Sequence, residues 1–179
     1  IRTSGKRYLS FCRSKDMRLA VSACALLTSF VLIERACAQS PVPYHTPFYE
    51  IYTSDQDDRK GGTFNIAHQD SLRRQQLDSL ILAFDSLTGW DCYFTAMVYH
   101  HGPDTVCSSL AIHFMKMAIA KDSTITPWLL AAAIDRHLNK KGELQIYGTQ
   151  YIMSHSDSIW RRPQLDTTQV TDAERKALG

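Results

Sequence analysis

A chain of 179 residues, 44% hydrophobic and 21% charged, fits one folded domain and excludes collagen-like, disordered and many-spanning membrane proteins. The net charge of +2 is unevenly spread: residues 1–38 hold seven of the 20 Lys and Arg but two of the 18 Asp and Glu, leaving a body of net charge −3. A mildly acidic body argues against electrostatic capture of nucleic acid or of an anionic membrane.

The first element in chain order is an export signal. Lys15 and Arg18 precede the 15 uncharged residues 19–33, and Ala36-Cys37-Ala38 supplies a small-x-small cleavage pattern before Gln39. This predicts a signal peptide over residues 17–38 and an exported bacterial protein, periplasmic or secreted, with no stable membrane insertion after cleavage. A retained anchor is the alternative, but a span needs about 20 apolar residues. Residues 1–16 precede Met17 and read as a leader or over-extended start. Val21-Ser22-Ala23-Cys24 resembles a lipobox, yet the apolar run from Met17 to Cys24 is too short for one. In the mature chain Cys92 and Cys107 remain, and an oxidising compartment predicts a disulfide between them. Two separate buried thiols are the alternative, since spacing does not fix geometry.

Residues 39–179 are expected to form a single domain, mainly α, an irregular helical bundle. Thr46-Pro47 opens a helix to about Arg59. A longer one is expected from Asp70 to Leu87, with Leu77, Leu80, Ile81, Phe84 and Leu87 on one face and Gly89 as its stop. Cys92–His101 and Val106–Lys121 read as two more, the second burying Val106, Leu110, Phe114, Met117 and Ala118. Thr126-Pro127 starts another to Asn139, with Leu130, Ala131, Ile134 and Leu138 as its buried stripe. Residues 143–153 favour extended backbone and give at most a small β-element. Thr171–Leu178 suggests a last helical turn or two.

No H-E-x-x-H, G-x-S-x-G, Walker, G-x-G-x-x-G or C-x-x-C motif is present, so no cofactor is expected. The candidates for chemistry are polar residues where a small bundle prefers apolar ones. Asp55 and Arg59, with Gln56 between them, share a helix face four residues apart, as a surface ion pair or as part of a site. His100-His101 falls at a helix end, where an imidazole serves as a surface cap or as a general acid–base. Asp135-Arg136 flanks the apolar stripe of its helix, as an exposed pair on the helix flank or with Arg136 forked onto a carboxylate. Gln145, Tyr147, Thr149 and Gln150 surround Gly148 and are suited to neutral polar contacts, or to an ordinary strand and turn. A metal variant, with His100 or His101 beside Asp55 and Asp135, has no ligand spacing behind it, and no metal is expected.

Taken together, Asp55-Gln56-x-x-Arg59, Gly89-Trp90, His101, Asp135-Arg136 and Gln145-x-Tyr147-Gly148-Thr149-Gln150 resemble the motif set of an uncharacterised bacterial family, a domain of unknown function. The resemblance spans residues 48–179, and the Q-x-Y-G-T-Q block is its specific part. Residues 172–179 resemble the family's D/E-x-x-R-x-x-x-G-L ending, where members usually continue, so a C-terminal piece is expected beyond Gly179. His100 stands where the family often has glutamine. The resemblance implies order and spacing of motifs but no reaction. It favours a shared polar pocket. In an enzyme, His101 is the general acid–base, charge-balanced by Asp135 or Asp55, with Arg59 and Arg136 on an anionic group and Tyr147, Thr149 and Gln150 positioning a small polar ligand. In a non-catalytic binding or interaction module, the same residues form a structural network.

Overall fold

The computed structural model describes residues 42–154 and 156–179. The leader and signal-peptide expectations lie outside the described residues. The unit Pro43–Gly179 is mainly helical. Its helices are α1 (Thr46–Gly61), α2 (Ile66–Ala83), α3 (Gly89–His100), α4 (Thr105–Lys121), α5 (Trp128–Lys140) and α6 (Asp172–Ala177). Between α5 and α6, β1 (Ile152–Met153) pairs antiparallel with β2 (Trp160–Arg161).

Local chemistry fixes the helix starts. Pro47 occupies the first turn of α1, where its missing N–H is no loss. Thr88 and Asp91 form a reciprocal capping box on α3, and Thr171 and Glu174 repeat it on α6. The Asp104 side chain accepts the Cys107 N–H at 2.8 Å and starts α4. Asp91 also reaches beyond its own helix. It accepts the His45 N–H at 2.8 Å and pairs with His45 Nδ1 at 2.7 Å, tying the entry of α1 to the first turn of α3.

Helix α3 is the spine of the core. Cys92, Phe94, Ala96, Val98 and Tyr99 are all buried, packed with Phe48 of α1, Leu77 of α2, Ala111, Met115 and Ala118 of α4, and Leu129, Ala132 and Ala133 of α5. The α3–α4 hairpin is close at both ends because glycine sits there. A Cβ on Gly102 would lie 2.3 Å from Cys107 Cβ, and one on Gly89 would lie 2.7 Å from Asp122 Cβ.

That hairpin overturns the expected disulfide. Cys92 and Cys107 are buried free thiols, each in the first turn of its helix. In an antiparallel pair the two helix starts lie at opposite ends, separated along α3 by about 12 Å at 1.5 Å per residue. A disulfide holds its Cα atoms within about 7 Å. Accordingly Cys92 feels Lys121, at the far end of α4, and burial pushes its thiol up to about 11.

Three smaller expectations shift. Helix α2 ends at Ala83 rather than Leu87, and Gly89 opens the next helix instead of stopping this one. Val106 is 65% exposed, because Cys107, Ala111, Phe114 and Ala118 set the buried face of α4. On α5 the buried set is Leu129, Ala131, Ala132, Ala133 and Asp135, so the carboxylate lies within the buried stripe. The β-element is small, as expected. Within residues 143–153 it comprises β1 and one parallel bridge from Gln145 to Leu165.

Candidate functional site

Helix α1 carries Asp55 on the face it turns toward the end of α3. The carboxylate has no exposure, while the His101 side chain keeps 16%. His101 Nδ1 stands 3.0 Å from Asp55 Oδ2, and the same carboxylate accepts Gln56 Nε2 at 2.8 Å and Arg59 Nη1 at 2.8 Å. An ionised carboxylate only accepts, so in this pairing Nδ1–H of His101 is the donor, and a neutral imidazole donating there has its lone pair on Nε2. This is the geometry of an imidazole oriented by a buried acid.

Arg59 continues the chain of charge. Its Nη1 and Nη2 reach Asp70 at 3.2 and 2.8 Å, and Asp70 also accepts Arg73 Nη1 at 3.0 Å. Arg73 bonds Ser54 and Asp58, so α1 and α2 are stitched by alternating acids and bases. Truncating one member of such a buried network strands its partner's charge, at about 3–5 kcal/mol.

Beside this network a cavity of about 440 Å³ opens between α1, α2, the α3–α4 turn and α5. Arg59, Asp70, Arg74, His101 and Arg136 supply its polar lining, with Ile66, Ala67 and Pro103 as apolar wall. Arg136 gives Nε to Gln150 Oε1 at 3.1 Å and Nη1 to the His100 carbonyl at 3.0 Å. Burial and the nearby Arg59 lower its pKa. Such a site suits a ligand that brings negative charge.

The two tandem histidines have separate fates. His100 is 5% exposed and its Nδ1 has no partner. Burial holds it neutral, with its pKa pushed down to about 2 and Arg136 and His101 adding to the effect. His101 alone of the two lines the cavity. Among the described residues, no group of three His, Cys, Asp or Glu is arranged to hold a metal ion.

Asp135 belongs to a second assembly. It is fully buried, and both carboxylate oxygens are occupied: Oδ1 by the N–H groups of Ile146 and Tyr147 at 2.8 and 2.9 Å, Oδ2 by the N–H and hydroxyl of Thr149 at 2.9 and 2.8 Å. Gly148, at φ +80°, lets the loop turn around that carboxylate. Gln145 is buried as well, accepting the Gln150 N–H at 3.0 Å and donating to the Gln150 and Pro163 carbonyls. Gln150 Nε2 reaches the Ala132 carbonyl at 3.2 Å. Tyr147 contributes its backbone, while its half-buried phenol has its pKa raised by burial, with Glu174 and Asp135 adding. Arg175 of α6 closes the loop on the Ile146 carbonyl at 2.9 Å.

The ten polar candidates thus form two linked groups. Asp55, Gln56, Arg59, His101 and Arg136 meet at or behind the cavity, whereas Asp135, Gln145, Tyr147 (through its backbone), Thr149 and Gln150 spend their hydrogen bonds between the loop and its helix. Arg136 joins the groups through Gln150. Sequence reasoning missed Asp70, Arg73 and Arg74. A signal was present: Asp70, Arg73 and Leu77 fall on one helical face, and that face is buried.

Comparison of the chain with protein-family models, curated proteins and solved structures finds no match.

Proposed function

We propose that this is an exported protein whose cavity binds a small polar ligand and performs hydrolysis or group transfer on it, with His101 as general acid–base. The observation that carries this reading is the pairing of His101 Nδ1 with the fully buried Asp55 at the edge of an arginine-lined cavity. His101 Nε2 accepts a proton from the attacking water or hydroxyl and returns it to the leaving group. The Asp55 carboxylate balances the imidazolium formed in between. Arg59 and Arg136 face the charge that develops on the reacting group. General acid–base catalysis of this kind contributes about 10²–10⁴ in rate.

The test is a substrate screen of the purified protein on esters, phosphodiesters, glycosides and amides. His101→Ala is expected to lower turnover about 10²–10⁴-fold at unchanged fold. Activity indifferent to that substitution removes the role.

The rival reading, a non-catalytic binding module, draws on the Asp135 assembly, which is saturated by internal hydrogen bonds. We assign that half a structural role under either reading. Kinship with the uncharacterised bacterial family is part of the proposal. Its motif positions coincide with residues that bond one another here, D-Q-x-x-R with the histidine and D-R with Q-x-Y-G-T-Q. Export rests on residues 17–38, and amino-terminal sequencing of the protein recovered outside the cytoplasm is expected to begin at Gln39.

A further inference from the structure

Three guanidinium groups line the cavity from three helices, Arg59 from α1, Arg74 from α2 and Arg136 from α5. Their electrostatic situations differ. Arg59 is matched by two carboxylates, Asp55 and Asp70. Arg136 spends donors on two neutral acceptors, the Gln150 amide and the His100 carbonyl. Arg74 is barer still: its Nη1 is buried and meets no hydrogen-bond acceptor. Among the described residues neither Arg74 nor Arg136 forms an ion pair. The Arg74 side chain is otherwise only half-buried and belongs to the cavity lining, and a charged donor short of acceptors is one that a bound anion satisfies.

We infer that the cavity is built for a phosphoryl group, held by Arg74 and Arg136 with His101 at its side. This deepens, and rests on, the reading of the cavity as a ligand site. Two guanidinium groups outside any ion pair, Arg74 with the longer-range Asp104 carboxylate acting on it, answer a dianion, whereas a carboxylate brings one charge and two coplanar oxygens that a single arginine fork serves. Donors arriving from different helices suit a tetrahedral group whose oxygens diverge. Asp70 stands on the same wall, but both its oxygens are taken by Arg59 and Arg73, which offsets its repulsion of an anion. At about 440 Å³ the cavity has room for the phosphoryl group and a small organic remainder. Arg74 is then a binding residue that no motif in the sequence announces.

The test is calorimetric titration of the full chain with inorganic phosphate, phenyl phosphate and acetate at matched ionic strength. Both phosphates are expected to bind, and acetate at least about tenfold more weakly, equivalent to 1.4 kcal/mol. Phenyl phosphate ahead of inorganic phosphate assigns an ester as ligand; the reverse order assigns free phosphate. Arg74→Gln is expected to weaken phosphate by about tenfold or more without melting earlier, and Arg74→Lys to recover part of the loss. Equal affinity for acetate and phosphate, or an Arg74→Gln protein that binds phosphate as wild type does, overturns the inference. The two readings fail separately. Phosphate binding without His101-dependent turnover keeps the ligand and removes the catalysis. His101-dependent cleavage of a neutral ester without phosphate binding keeps the catalysis and removes the ligand.

Discussion

Replacing Asp135 with asparagine tests the division of the polar residues into a site and a scaffold. The buried carboxylate accepts four hydrogen bonds, two on each oxygen, all between 2.8 and 2.9 Å. Asparagine keeps one oxygen and places an NH2 where the other stood, so two bonds survive and two loop donors face a donor. Hydrogen bonds to a charged group contribute about 1.5–3 kcal/mol each, which puts the loss at roughly 3–6 kcal/mol. Thr149→Val removes the hydroxyl's bond to Asp135 and the one it accepts from Gln150 Nε2, and should cost about 1.5–3 kcal/mol. Urea unfolding followed by circular dichroism measures the global part. Limited proteolysis around Lys140, Lys141, Arg161 and Arg162 detects release of the loop while the helices persist. A loss for Asp135→Asn below about 1 kcal/mol, with the loop still resistant, would refute the scaffold role, since it would mean that the bonds to this carboxylate contribute far less than charged hydrogen bonds do.

Two further outcomes follow from the buried groups. His100 has its native pKa depressed from 6.5 to about 2, so across that window the unfolded chain binds a proton that the native chain does not. Its contribution is therefore complete above the unfolded value and is lost as pH falls below it, by about 1.4 kcal/mol per pH unit. Urea midpoints from pH 7 to pH 4.5 should fall less steeply for His100→Gln; identical slopes would contradict a neutral buried imidazole. Cys92 and Cys107 should both be alkylated on unfolding without any reductant, with Cys92 the slower in the native state because burial raises its thiol to about 11. A peptide map holding the two joined would contradict the separation of the helix starts.

Much of the helical order was legible, because capping residues and apolar spacing act locally. Thr46-Pro47, Thr105–Lys121 and the last turn of α6 fell within a residue or two of their expected places. Gly89 misled because glycine serves two ends: it stops helices through its backbone freedom, and it permits close approach through its missing side chain. The Thr88–Asp91 capping box was the better signal there. Asp55 and Arg59 were legible as a pair at helical spacing. The contact from Asp55 to His101, 46 residues away, is set by how α1 crosses the end of α3. The disulfide expectation failed for the same reason. An expected oxidising compartment argues for pairing, but the direction of two packed helices decides distance. Helical spacing puts Asp135 beside the apolar stripe, yet it lies inside it, since four loop donors make a buried carboxylate tolerable.

Function turns on whether His101, held by Asp55, presents its free nitrogen to a ligand cavity. The most direct measurement is a nitrogen-15 histidine spectrum at neutral pH, recorded with and without inorganic phosphate and assigned through His101→Ala. The expected result is a ring protonated on Nδ1, hydrogen-bonded through that proton, and shifted on phosphate addition together with the Arg74 and Arg136 side-chain resonances. An Nε2-protonated ring, or a His101 signal that ignores the anion while Arg74 responds, would contradict it.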